Sequence, residues 1–288
     1  MPERGSGRLQ ASWRAAGRES GGNELQRTGS RRGDRRNGRT LVLPLLAMTL
    51  MSQGLTAGDR HSPRAIIDRV DQVLRGASSR GVATMRVITR HWERSLTMEV
   101  WSLGADYSLV RVLSPAKEAG TSTLKASRDI WNYLPKVDRT IKIPASMMMG
   151  SWMGSHFTND DLVKESRLVE DYEIETGFEG TRENVRVWEF TLTPRPEAAV
   201  VWGKIEYRVR QRDFMPLQAR YFDEEGELVR TLTFSNFRRM GNRLVPAHMD
   251  MQPHDKPGER TTVSYDELEF DLDIDKSFFS LRTLRRGR

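Results

Sequence analysis

Short runs of alternating apolar and polar residues constrain the fold of this chain more than any other feature. In one run, Ile205, Tyr207 and Val209 alternate with Glu206 and Arg208. Side chains two residues apart lie on the same face of a strand, so such a run predicts a strand with one buried and one hydrated face. Similar runs, separated by short polar turns, occupy residues 96–100, 107–112, 228–234, 245–251 and 263–272. The sequence therefore predicts a mainly antiparallel β fold of roughly ten to twelve strands.

The last of these runs changes phase. Val263 and Tyr265 alternate in one register, whereas Leu268 and Phe270 follow the other. One extra residue in a strand produces such a slip, so we expect a β-bulge near residues 266–267.

One amphipathic helix precedes the strands. Ser62 and Pro63 are a typical N-cap and first helical residue, and Ile66, Val70 and Leu74 then recur at helical spacing. A sheet of this width does not stay flat. We therefore predict an α+β protein whose strongly curved half-barrel sheet has helices covering a concave apolar cavity.

Most of the net charge lies in a leader and not in the folded body. Residues 1–40 contain ten arginines and four acidic residues, a net +6 out of the total of +7, and residues 41–57 are uncharged. Residues 58–288 therefore carry only +1. This near-neutral body argues against nucleic acid as a partner, because nucleic-acid binding needs a basic face on the folded domain.

The leader has the organisation of a secretory signal peptide. An apolar run at residues 41–51 follows the arginines, and small residues follow at Ala57 and Gly58. We predict an Arg-rich leader and signal peptide over residues 1–57 and a single domain over residues 58–288; an uncleaved anchor and a later start remain alternatives. The chain has no cysteine, so we expect neither disulfides nor acylation of a cysteine. The expected location is the periplasm.

A methionine-rich segment, Met147–Phe157, is the strongest candidate for a binding site. Methionine is flexible and polarizable, which suits surfaces that fit variable apolar partners. The segment is either a pliable lid over the cavity or an irregular part of the core. With two strand aromatics, the candidates for the cavity or lid are Trp131, Tyr133, Met147, Met148, Met149, Trp152, Met153 and Phe157.

Basic residues nearby are candidates for the rim of that cavity, where they would meet anionic headgroups. A solvated strand face is the alternative that the sequence favours. The candidates are Lys125, Arg128, Arg139 and Lys142.

Catalytic motifs are weak. Ser151 and Ser155 lie near His156, but their spacing does not match a nucleophile elbow. His248 and His254 lack the spacing of a helical metal site. We therefore predict no catalytic, cofactor or metal residues and no enzymatic activity, with a lipid hydrolase as the least favoured alternative.

Several motifs resemble the outer-membrane lipoprotein-sorting protein family of the LolA-like superfamily. They are Asp129–Pro135, Arg139–Ile143 and Gly150–Leu162, together with Arg243–Pro246 and Phe278–Leu281 near the C-terminus. The resemblance implies a half-open curved sheet with helices over a hydrophobic cavity. It also implies a periplasmic carrier of lipid or lipoprotein acyl chains, acting in lipoprotein sorting or beside a membrane transporter of the RND type.

The chain departs from the family pattern at two positions. His156 stands where an aspartate is expected, and Asn159 stands where an aromatic residue is expected. These departures leave the anchoring of the lid open, and no arginine is matched to the family's gating arginine. We expect a monomeric carrier or sensor, with a periplasmic adaptor that docks on a transporter and binds no lipid as the alternative.

Overall fold

Thirteen antiparallel strands form one open, curved sheet in the computed structural model, which describes residues 62–164, 168–198 and 200–286. The predicted leader and signal peptide lie outside these ranges. The strands are β1 Ser78–Ile88, β2 Glu93–Leu103, β3 Tyr107–Ser114, β4 Ser122–Ala126, β5 Asp129–Leu134, β6 Arg139–Lys142, β7 Tyr172–Arg182, β8 Val185–Pro194, β9 Lys204–Arg210, β10 Met215–Phe222, β11 Leu228–Met240, β12 Arg243–Pro253 and β13 Arg260–Phe270.

The mainly antiparallel fold is confirmed, with one strand more than the predicted range. Strand β7 shows why the count was low. It lies at an edge of the sheet, and most of its side chains are exposed or half-exposed. A strand that buries little needs no apolar alternation, so its sequence signal is weak.

Strand order follows sequence order except at one place. From one edge to the other the order is β6-β5-β4-β3-β2-β1-β13-β12-β11-β10-β9-β8-β7. Within this sheet, only the pairing of β1 with β13 joins strands that are not consecutive in sequence. The sheet is therefore two meanders joined by one seam, with β6 and β7 at its opposite edges.

The predicted bulge is present in β13. Val82 pairs with Glu267 and the next residue, Ala83, pairs with Tyr265, so Asp266 has no opposite partner in β1. One extra residue on β13 accounts for the change of phase read from the sequence.

Helix α1 covers Pro63–Arg75 and begins as predicted. The Ser62 side chain accepts a hydrogen bond from the backbone N–H of Ala65 at 3.2 Å, which satisfies a donor that a helix start leaves unpaired. Gly76 follows the helix at φ 65°, a conformation that glycine adopts without strain. Three shorter helices follow: α2 Asp161–Lys164, α3 Leu168–Asp171 and α4 Leu281–Arg285.

The two faces of the sheet are covered by different segments. On the front face, α1 packs against one apolar cluster and residues 152–162 pack against a second. Phe157 and Met249 contact both clusters, so the two coverings lie side by side. On the back face, the C-terminal residues Phe279 and Leu284 pack on β3 and β4.

No helix among the described residues is long and apolar enough to cross a membrane.

Candidate functional site

A cavity of about 350 Å³ lies on the front face. It is bordered by one side of α1, by α3, and by the inward side chains of β9, β11, β12 and β13. Its apolar lining includes Ile67, Val70, Leu74, Leu168, Val169, Phe234, Val245, Met249 and Leu268. Ligand pockets in proteins commonly measure about 300–1,000 Å³ and are mostly apolar, so this cavity lies at the lower end of that range.

Charged groups at the cavity come from its helices. Asp68, Asp71 and Arg75 of α1 and Glu170 of α3 all border it. The Arg75 guanidinium donates to the Asp71 carboxylate one helical turn away. The strand side chains at the cavity are thus uncharged, whereas the helices contribute both apolar and charged residues.

The methionine-rich segment is an irregular covering beside α1. Residues Trp152–Gly154 form a single 3₁₀ turn, and Met153 within it has φ 49°. A left-handed backbone at a residue other than glycine is unfavourable and persists only when its surroundings hold it. The Trp152 ring is buried, and its Nε1–H donates to Thr123 Oγ1 of β4 at 3.1 Å.

A buried ion pair fixes the end of this segment. Arg230 of β11 is only 3% exposed, and its guanidinium donates two hydrogen bonds to the Asp161 carboxylate, one of 2.8 Å. It also lies 4.3 Å from the Trp202 ring centre and 4.4 Å from that of Tyr221. A bidentate contact between an arginine and a carboxylate is both strong and specific in geometry.

His156, which stands where the resemblance predicted an aspartate, is also an anchor. The backbone N–H of His156 donates to Thr261 Oγ1 at 3.0 Å, and the ring Nδ1 lies 2.8 Å from the same oxygen. Ring Nε2 lies 3.1 Å from Glu259 Oε2. This arrangement fits the tautomer that carries its hydrogen on Nε2. The hydrogen bond from His156, together with that from the Arg90 backbone N–H, lowers the pKa of Glu259.

Asn159, the second departure from the family pattern, also anchors the methionine-rich segment. Asn159 is buried, and its Nδ2 donates to the carbonyls of Met147 and Gly150, both at 3.1 Å. The two departures, His156 and Asn159, therefore hold the segment with polar contacts, which answers the question of anchoring that the sequence left open.

Nearby acids also affect a buried tyrosine. Tyr172, the first residue of β7, is buried. Burial, followed by the carboxylates of Asp160, Asp171 and Asp161, raises its pKa. The hydroxyl is therefore neutral at physiological pH.

The predicted cavity and lid residues do not all lie together. Trp152, Met153 and Phe157 pack on the front face, and Met147 and Met149 are about half exposed, at 53% and 49%. Met148 is partly buried. None of these six is among the residues that line the 350 Å³ cavity.

Trp131 and Tyr133 lie in a different apolar cluster. Both pack in the cluster that holds the C-terminal segment on the back face. Their strand neighbour Asn132 accepts a hydrogen bond from Thr123, the residue that Trp152 contacts. Since alternate residues of a strand point to opposite faces, Trp131 and Tyr133 point away from Trp152 and pack in a separate cluster.

The predicted basic rim is not a rim of this cavity either. Lys125 is only 4% exposed and donates to the Ala105 carbonyl at 2.6 Å. Lys142 pairs with Asp129 at 2.7 Å and lies over the Trp131 ring. Arg128 and Arg139 are exposed near β5 and β6, at the far edge of the sheet from β9.

The weak catalytic candidates are engaged in structural contacts. Ser155 Oγ donates to the Trp152 carbonyl at 2.7 Å, and Ser151 Oγ donates to the Ser155 carbonyl. His248 contacts Ser264, and His254 contacts Thr231. Within the described residues, no group of three or more potential metal ligands is close enough to hold an ion.

Sequence reasoning missed the residues that bring distant segments together. Arg230 meets Asp161 across 69 positions, and Glu259 meets His156 across 103 positions. A charged residue within a strand looks like part of a hydrated face, so no local signal identifies such a partner. The apolar face of α1 was read correctly, but only the fold shows that a cavity remains beside it.

The architecture places this protein in a known structural class. A domain from Vibrio parahaemolyticus, described as outer membrane lipoprotein-sorting, superimposes with a TM-score of 0.70 at 22% identity, covering 78% of this chain and 98% of that one. A LolA superfamily protein from Nitrosomonas europaea gives 0.65 at 22% identity, over 77% and 99%. The fold is thus that of the outer-membrane lipoprotein-sorting and LolA superfamily proteins.

A family model assigns the chain to a smaller group than the fold does. A family model described as "Uncharacterized protein" matches residues 104–286, more than half of the chain, and the chain belongs to that family. A DUF1329 family protein from Desulfovibrio piger has a similar structure, with a TM-score of 0.71 at 23% identity over 77% of this chain and 97% of that one. No curated protein matches the sequence.

Proposed function

We propose that this protein is a periplasmic carrier that binds acyl chains of lipids or lipoproteins without changing them covalently. The observation that carries the proposal is the apolar cavity of about 350 Å³ beside α1 and α3. An acyl chain gains about 0.8 kcal/mol for each CH₂ group that leaves water. A cavity lined mainly by aliphatic side chains suits a chain of that kind.

The fold adds a second line of support. The similar structures include a protein named for outer membrane lipoprotein sorting. On this basis we propose that the chain acts in lipoprotein sorting or lipid transport, with a membrane transporter of the RND type as its partner.

The methionine-rich segment takes a supporting role in this proposal. Phe157 packs against both front-face clusters and so connects the segment to the cluster that contains α1. We propose that Trp152, Met153 and Phe157 form the adjoining wall of the site. Met147, Met148 and Met149, nearer the surface, are the part that adapts to a ligand.

Mass spectrometry tests the carrier directly. The protein is purified after expression of the full chain, and its native mass is measured before and after organic extraction. A bound mass that extracts as phospholipid or acyl chain supports the proposal. A ligand-free mass, with no uptake of added fluorescent fatty acid, favours the adaptor that docks on a transporter.

A pair of variants locates the binding site. Val169 lines the cavity, whereas Val229 packs at the margin of the same apolar cluster without lining it. Both are half-buried, so Val169→Trp and Val229→Trp make the same change in similar surroundings. We expect Val169→Trp to lower fatty-acid uptake at least about tenfold and Val229→Trp to leave it nearly unchanged, because only the first indole fills the cavity. Equal uptake by the two variants would place the site elsewhere.

A further inference from the structure

Exposed apolar side chains collect at one end of the sheet. Of the seven large hydrophobic residues that are exposed among the described residues, five lie between residues 134 and 149. A sixth, Leu281, lies on α4, and α4 is joined to β6 by a 2.9 Å hydrogen bond from Arg285 Nε to Thr140 Oγ1. The five are Leu134, Val137, Ile141, Met147 and Met149, with exposures from 38% to 60%.

These side chains belong to one continuous part of the molecule. Ile141 pairs with Asn132 across β5 and β6, and Leu134 lies two residues beyond Asn132 on the same strand. Both therefore share the front face. Val137 is at the turn of this hairpin, and Met147 and Met149 follow β6 in the chain. α4 lies on the back face, so these residues surround the β6 edge of the sheet. We call residues 128–149 together with residues 281–286 the β6 end.

The β6 end is also strongly basic. Its segments hold seven exposed basic residues and two acidic ones, a net charge of +5. The whole of residues 58–288 carries only +1. The basic residues are Arg128, Lys136, Arg139, Lys142, Arg282, Arg285 and Arg286.

Exposed aliphatic side chains among basic residues match one kind of partner. Anionic membrane surfaces attract lysine and arginine, and apolar side chains between them enter the boundary between headgroups and acyl chains. The hot spots of protein interfaces are instead rich in tryptophan and tyrosine, and none of the six exposed hydrophobic residues here is aromatic. A membrane surface therefore fits these observations better than a protein groove.

We propose that the β6 end docks on the surface of a membrane that contains anionic phospholipid. This surface is distinct from the cavity, which involves α1, α3 and strands β9 to β13. β6 is six strands away from β13 in the sheet. Docking and acyl-chain binding share only the methionines of residues 147–149. The tests below therefore change Val137, Lys136 and Arg139, none of which lines the cavity.

A single fluorescent label tests contact with the membrane. The chain has no cysteine, so Val137→Cys gives a unique labelling site at the turn of the hairpin. Glu224→Cys, in an exposed turn between β10 and β11, is the matched control. The protein is expressed as the full chain, and an environment-sensitive fluorophore is attached at either position.

The label at position 137 should shift to shorter wavelength and become protected from iodide when vesicles containing phosphatidylglycerol are added. Vesicles of phosphatidylcholine alone should have little effect, and the label at position 224 should respond to neither. The proposal is wrong if the label at 137 remains accessible on vesicles that the protein binds. It is also wrong if both labels respond alike.

Charge reversal tests the electrostatic part. Lys136→Glu with Arg139→Glu changes two exposed residues of the β6 end, and Arg212→Glu with Lys256→Glu makes the same change in net charge elsewhere. Each basic residue near an anionic leaflet strengthens binding several-fold, so the first pair should reduce partitioning onto vesicles by about 30-fold or more. The control pair should reduce it less than about threefold, and 1 M salt should weaken the unmodified protein similarly. Equal losses in the two double variants would overturn the proposal in favour of a general effect of net charge.

Discussion

The two coverings of the front face are held in different ways. The methionine-rich segment is irregular, and hydrogen bonds from Trp152, His156, Asn159 and Arg230 attach or brace it. Helix α1 instead rests on buried aliphatic side chains of its own. An irregular backbone leaves polar groups that need partners, whereas a helix satisfies most of its own.

This difference explains where the cavity lies. Directional bonds hold the segment at fixed distances from β4, β11 and β13. Apolar contact is not directional, so α1 can tolerate empty space along one side. We infer that a ligand would enter on the α1 side and that the polar anchors would keep the segment in place.

The largest effect is expected from removing the buried arginine. Arg230→Met leaves the Asp161 carboxylate, with a side chain only 11% exposed, without its main partner. Leaving a buried charge unpaired commonly costs about 3–5 kcal/mol. We expect the free energy of unfolding, measured by denaturant titration, to fall by that amount.

A second substitution provides the control. In Arg230→Met with Asp161→Leu, neither member of this ion pair is left as an unpaired charge, and much of the lost stability should return. A loss below about 1 kcal/mol in the single variant would show that the segment does not depend on this ion pair.

Two neighbouring isoleucines test the α1 side. Ile66 and Ile67 are both buried, at 2% and 3% exposure, but only Ile67 lines the cavity. Truncating a buried isoleucine costs about 2–5 kcal/mol, and the cost rises with the new void that is created. We expect about 4 kcal/mol for Ile66→Ala and about 2 kcal/mol for Ile67→Ala, because the second only enlarges a space that already exists.

Unfolding and fatty-acid uptake should be measured together on this pair. Only Ile67→Ala should change the size of ligand that the protein accepts. If both variants lose the same stability and bind identically, the contrast between the two coverings does not extend to ligand binding.

The smallest expected effect is a pH-dependent loss of stability when Glu259 is replaced. The folded state lowers the pKa of Glu259 through the hydrogen bonds from His156 and Arg90. A carboxylate with a lowered pKa adds stability above its unfolded pKa of about 4.3, and this stability is lost as pH falls through the folded value. We therefore expect Glu259→Gln to be less stable than the unmodified protein at pH 7, and the difference to shrink as the pH falls below about 4.3.

Asp271→Asn is the matched control, because Arg243 and the Ala77 N–H lower the pKa of Asp271 away from the segment. Both variants should show the same pH trend. Only Glu259→Gln should increase proteolysis between residues 145 and 161. Unchanged cleavage there would mean that His156 needs no carboxylate to hold the segment.

The extent of prediction follows from the range of the forces involved. Helix α1 and the bulge at Asp266 could be predicted from the sequence because capping and strand alternation depend on neighbouring residues. The resemblance to the sorting-protein family added the overall fold. The face of a strand that meets a given segment depends on the whole sheet, and this is why Trp131 was grouped with Trp152 although they lie on opposite faces.

The single seam between the two meanders has a consequence for how the chain folds. Each meander is built from hairpins of consecutive strands, which close short loops. The residues that pair across β1 and β13 are instead 172 to 191 positions apart. Closing so long a loop costs more chain entropy than forming any hairpin. During synthesis, β1 therefore pairs only with β2, and its other edge stays unpaired until β13, the last strand, has been made.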